Sequence, residues 1–79
     1  MNIQPPERFV IGPCFVRVHA EFVDLPESAG WMGVWAIYTS LPELDTEPVR
    51  IGSTDVLATI ELAHATARSM ATAIARSLR

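Results

Sequence analysis

The sequence predicts an α+β fold: a three-stranded antiparallel meander sheet followed by one long C-terminal helix packed on one face, in the order β-β-β-α. Three observations carry that prediction. Cys14 to Val23 alternates apolar and polar side chains, the period of a half-buried strand. Trp31 to Ser40 is apolar on both alternating rows, which marks a central strand covered twice. From Val56 to Leu78, apolar residues recur at three- and four-residue steps, as on one face of a helix.

Residues 1–7 are polar and proline-bearing, and they read as a frayed arm ahead of a single domain over 8–79. Arg8-Phe9-Val10-Ile11 can begin a strand, either extending the first or making a separate one, before Gly12-Pro13 bends the chain. In the first full strand Val16, Val18, Ala20 and Phe22 form one row, and Arg17, His19 and Glu21 the other. The turn residues of Asp24 to Gly30 predict a loop. The middle strand has one row of Met32, Val34, Ala36 and Tyr38, and another of Trp31, Trp35 and Ile37. An acidic turn follows at Leu41 to Thr46, then a short third strand over Pro48 to Ile51, ending at Gly52.

Ser53-Thr54-Asp55 predicts the helix start. Either hydroxyl can cap free backbone N–H groups, and Asp55 suits the positive end of the helix dipole. The helix then runs to about Leu78, with a stripe of Val56, Ile60, Ala63, Ala67, Met70, Ala71, Ile74 and Leu78. Seven alanines between Ala58 and Ala75 raise helix propensity and let backbone approach closely.

Charge agrees with a meander. Positions 18–49 hold six acids and no arginine; the remainder holds six arginines and three acids. A meander puts Asp24 and Glu27 at the end where the helix begins, and Glu43, Asp45 and Glu47 near Arg76 and Arg79.

One helix covers one sheet face, and the Val16/Val18/Ala20/Phe22 face suits it. The other face then shows Arg17, His19, Glu21, Arg50 and one row of the middle strand, either the tryptophan row or the Met32/Val34/Tyr38 row. Both choices leave an apolar strip with a polar border, which marks an interaction surface. Trp31 and Trp35 read as interface anchors, as core beneath the helix, or as platforms for stacked bases. The interface reading groups Trp31, Trp35, Ile37, Arg17, His19 and Arg50 on a surface that makes a homodimer or binds a small protein partner.

The 79 residues are 49% hydrophobic and 19% charged, which is the composition of a globular domain. A chain this short has little core, and such chains often gain support from disulfides, a metal or an oligomer. Cys14 is the one cysteine, so no internal disulfide forms. With it, His19 and His64 are a thin set for zinc. That leaves oligomerisation, with no metal or cofactor expected. The net charge of −3 argues against nucleic acid and anionic membranes as partners. Met1 to Glu7 lacks the basic and apolar regions of a signal peptide. The 15-residue uncharged stretch Ser28 to Pro42 is too short to cross a bilayer. A cytoplasmic location is therefore expected.

Enzymatic signals are weak. Arg17, His19 and Glu21 share a face at steps of two, which suits either a small acid–base site or an ordinary solvated strand face. His64 lies near Glu61 and Arg68 on the predicted helix, and reads as an edge polar cluster. Cys14 reads as a small strand-end residue. Gly52-Ser53-Thr54 lacks the pattern of a nucleotide loop. The chain is expected not to be an enzyme.

One run of residues carries a family resemblance. Gly30-Trp31-Met32-Gly33-Val34-Trp35-Ala36 leads to Leu41-Pro42-Glu43-Leu44, then to Gly52-Ser53-Thr54 and a helix with Ala58, Ala63 and Ala67. This resembles the HicB-like antitoxin domain, a partial RNase H-like fold, over about residues 14–75. The resemblance implies a non-catalytic protein that self-associates and caps a small toxin partner. A second analogy is the three-strand-plus-helix DNA-binding domain of plant AP2 factors and phage integrase arms. Those domains read DNA with basic residues on the sheet, where this chain offers Arg17 and Arg50.

Overall fold

Four antiparallel strands and a C-terminal helix form the computed structural model, which describes residues 6–39 and 47–78. The strands are β1 (Glu7–Ile11), β2 (Cys14–Leu25), β3 (Ser28–Tyr38) and β4 (Arg50–Ser53), and the helix is α1 (Ile60–Ser77). The sheet order is β1-β2-β3-β4, a meander in which each strand pairs with its sequence neighbour. The predicted α+β class and meander are thus what the chain adopts. Arg8 to Ile11, which the sequence left open, forms a separate edge strand. That strand already includes Glu7, the last residue assigned to the arm.

The β1–β2 hairpin turns on Gly12-Pro13. Gly12 takes the first central position with φ 55°, the left-handed conformation that a type II′ hairpin turn requires there. The next hairpin differs from expectation. Asp24 to Gly30 is not a loop; β2 and β3 stay paired out to Leu25 and Ser28, around a turn of Pro26-Glu27 alone. A two-residue turn locks register. It sets Val16 opposite Ile37, Val18 opposite Trp35 and Ala20 opposite Gly33. Directly opposed residues share a face, so the tryptophan row lies with the valine row.

That shared face is the one α1 covers. The core is Cys14, Val16 and Val18 from β2, Trp35 and Ile37 from β3, and Ala67, Ala71 and Ala75 from α1. Phe9, Ile11, Met70, Ile74 and Leu78 pack around it. The fully buried helical positions are Ala63, Ala67, Ala71 and Ala75, a stripe of one methyl per turn. With only methyls on the helix's buried stripe, helix backbone comes directly against the sheet at Gly33. A Cβ at Gly33 would overlap the Ala63 carbonyl oxygen and lie 2.6 Å from Ala67 Cβ.

The helix starts later than predicted. Ser53 ends β4, and the chain then follows β3 further. Thr54 N donates to Gly33 O (2.9 Å), and Trp31 and Leu57 exchange backbone hydrogen bonds of 2.8 and 2.6 Å. Between the Val34–Ser53 pair and the Trp31–Leu57 bridge, this returning chain holds one residue more than β3 does, which makes a bulge. Thr54 sits buried in it, its Oγ1 accepting from Gly33 N (2.9 Å) and donating to Asp55 O (2.7 Å). It fastens the bulge rather than the helix. The N-cap is Thr59, whose Oγ1 accepts from Leu62 N at 3.1 Å. Val56, placed in the helical stripe by its spacing, precedes the helix. Thr59→Ala should cost about 1 kcal/mol, read as a lower urea midpoint, whereas exposed Ser53→Ala should change it by less than about 0.5 kcal/mol.

The charge expectations divide. The β2–β3 turn does lie at the end where the helix begins, but Asp24 and Glu27 are exposed there and make no ion pair among the described residues. Leu41 to Thr46 and Arg79 fall outside the described residues, so the expected nearness of Glu43 and Asp45 to Arg76 and Arg79 does too; Glu47 and Arg76 lie inside them and form no ion pair with each other.

Candidate functional site

The helix covers one face of the sheet, and no element of the described chain covers the other. Strand pairing places Arg8 and Val10 from β1 on that open face, with Phe15, Arg17, His19, Glu21 and Val23 from β2. From β3 come Met32, Val34, Ala36 and Tyr38, and from β4 Ile51 and Ser53. Val10 is 62% and Ile51 70% exposed, high values for apolar residues in strands. Ala36 and Tyr38 lie in the β3 row but are buried, at 8% and 4% exposed. The Arg17 guanidinium stands over the Tyr38 ring, 5.9 Å from its centroid.

Of the six residues proposed for the interface, two are here. Arg17 and His19 lie on the open face, and His19 Nε2 donates to Glu21 Oε1 at 2.8 Å. The other four are corrected by the register. Trp35 (4% exposed) and Ile37 (fully buried) are core beneath the helix. Trp35 fits because its partner on β4 is Gly52, and the indole lies against that glycine; a Cβ there would sit 2.6 Å from Trp35 Cε2. Trp31 is half-buried on the helix side, its ring edge-on to Phe22 at 5.4 Å between centroids. Arg50 belongs to the helix-side row at the β4 edge, where it is exposed and donates to the Val49 carbonyl at 2.8 Å. The apolar row on the open face is therefore the Met32/Val34/Tyr38 alternative.

Arg8, Val10, Phe15 and Ile51 were missed. The first two needed β1 as a separate strand, a fold that Gly12-Pro13 between two apolar runs does signal. Phe15 shares the Arg17 row by simple alternation, whereas the face of Ile51 depended on the register.

Two further polar features lie on the helix side. Glu7 meets the helix: its Oε1 is 3.3 Å from His64 Nε2, and its Oε2 is 3.4 Å from Arg68 Nη1. Oε1 is buried and has no hydrogen-bond partner, so its contact with His64 is a close approach rather than a hydrogen bond. Arg68 also stands 4.9 Å from the Phe9 ring centroid. This cluster pins the edge strand to the helix, and its acid is Glu7 rather than the helical Glu61. The Trp35 indole N–H is buried without an acceptor. Outward on α1, Arg68, Ser69, Thr72 and Arg76 line a shallow depression.

Among the described residues, no three His, Cys, Asp or Glu side chains are grouped as a metal would require. Cys14 is buried, with its Sγ 3.9 Å from the Ala75 carbonyl oxygen. No described helix is long and apolar enough to cross a membrane. The His19–Glu21 pair could hold and pass a proton, but it stands on a broad sheet surface rather than in a cleft. What the open face offers chemically is an apolar strip with charged groups along β2. No family model, curated protein or solved structure matches the chain.

Proposed function

We propose that this chain is a non-catalytic protein–protein interaction domain that homodimerises through its open sheet face. The observation that carries this reading is the exposure of Val10 and Ile51 on a sheet face that no described strand or helix covers, beside half-buried Met32 and Val34. A large sheet surface with exposed β-branched residues is an aggregation hazard unless something covers it. A second copy covers it without leaving a new edge, because a twofold interface is self-complementary and closed.

Solution mass by light scattering tests this directly. The expected result is about twice 8.7 kDa. Ile51→Asp, at a position that touches little of its own chain, should shift that mass to the monomer while the helical circular dichroism signal stays. A wild-type monomer at millimolar concentration, or an unmoved Ile51→Asp dimer, refutes the reading.

The more specific form of this function is an antitoxin that also caps a small toxin, and it rests on the resemblance to the HicB-like domain. A nucleic-acid-binding reading keeps Arg17, which has Arg8 beside it on the open face. It loses Trp35 to the core and Arg50 to the opposite row. Labelled oligonucleotide anisotropy at low salt tests it; a flat titration removes it.

A further inference from the structure

The open face has a polarity along β2 that fixes how two copies would meet. This inference rests on the self-association proposed above. Arg8 and Arg17 are directly opposed across β1 and β2. Like charges so placed repel, and among the described residues neither forms an ion pair. Glu21 lies on the same face, two alternate positions beyond Arg17, with His19 midway between them. At about 3.3 Å per residue, Arg17 and Glu21 are roughly 13 Å apart, too far to pair within one chain. Glu21 is 55% exposed, and one of its oxygens is held by His19.

Two sheets can face each other about a twofold axis running along the strands or across them. An axis along the strands stacks each height on itself. It keeps Arg8 and Arg17 at the height of their copies and Glu21 at the height of Glu21, so no cation comes level with the acid. An axis across the strands, through the level of His19 and Val34, inverts the order.

We infer that the dimer uses the crosswise axis, so that Glu21 of one copy meets Arg17 and Arg8 of the other. The other rows agree with this arrangement. The row of Ala36 and Ile51 beside Arg17 then faces the row of Met32 beside Glu21. Phe15 then faces Val23, and the cations meet the anion.

Charge reversal tests the axis, with dissociation constants read by sedimentation equilibrium at low salt. Glu21→Arg alone and Arg17→Glu alone should each weaken the dimer about tenfold or more, because each sets like charges together twice per dimer. The double variant Glu21→Arg/Arg17→Glu should return to within about threefold of wild type. Since the two positions cannot touch within a chain, that rescue has to cross the interface. If the wild type dimerises but neither single reversal weakens it, the crosswise axis is wrong and the homodimer reading stands. The axis is equally wrong if the double variant is no tighter than the singles. If the wild type does not dimerise, both fall.

Discussion

Gly33→Val should abolish the folded state at ordinary temperature. Strand propensity alone predicts the opposite sign, since valine is favoured in strands over glycine by up to about 1 kcal/mol. Packing decides against it. The first added carbon would overlap the Ala63 carbonyl and stand 2.6 Å from Ala67 Cβ, and two more methyls follow. Both obstacles are backbone or bound directly to it, so no flexible side chain can move aside. The helix itself would have to lift from β3. Overpacking commonly costs about 1–3 kcal/mol, and more where nothing yields. A 79-residue chain has a total stability of roughly 4–12 kcal/mol. The check is urea unfolding followed by far-ultraviolet circular dichroism. Gly33→Ala should already lower the midpoint, and Gly33→Val should leave no folded baseline. A valine variant as stable as wild type would show that the layers are not in backbone contact there.

Trp35→Ala should cost about 3–5 kcal/mol, the range for deleting a large aromatic from a core. Trp35 is the largest side chain in this core, and the helix cannot collapse far into the void because its own facing residues are alanines already. The unpaired indole N–H complicates the comparison with phenylalanine. A buried donor without an acceptor is itself a loss of about 1–3 kcal/mol. Trp35→Phe removes that donor along with some volume, so it should be much milder than alanine. Thermal unfolding of the two variants measures the difference. Equal losses would mean that the N–H is satisfied in solution. An unaffected alanine variant would put Trp35 outside the core.

The strands and helix were legible because their periodicities are local properties of the chain. The helix boundary was not, because Ser53, Thr54 and Asp55 have the composition of a cap while tertiary pairing with β3 uses Thr54 in a bulge. Competition between a cap and a sheet is decided by the partner strand, which composition does not show. The open face was legible as an apolar strip with Arg17, His19 and Glu21 beside it. Which row of β3 belonged to it hung on the β2–β3 turn. Read as a seven-residue loop, Asp24 to Gly30 leaves the register free. Read as a two-residue turn at Pro26-Glu27, it forces Trp35 opposite Val18 and hence under the helix. The error in the tryptophans is therefore an error about one turn, carried along the whole ladder. Pro26 was a cue for that turn, but no Asn-Gly or Gly pair marked it as tight.

Nearest-neighbour strand order also governs how this chain reaches its fold. Every strand pair closes between sequence neighbours, two of them across turns of two residues. The sheet can therefore grow hairpin by hairpin, with little loop entropy to overcome at each step. Helix docking is the non-local event, since it brings Ala75 to Cys14 across 61 positions. Contact order is thus concentrated in the seam between layers rather than in the sheet. Until that seam closes, the assembled ribbon shows both of its faces to solvent. The alanine stripe that lets the helix sit so close is then also what ends the chain's most aggregation-prone interval.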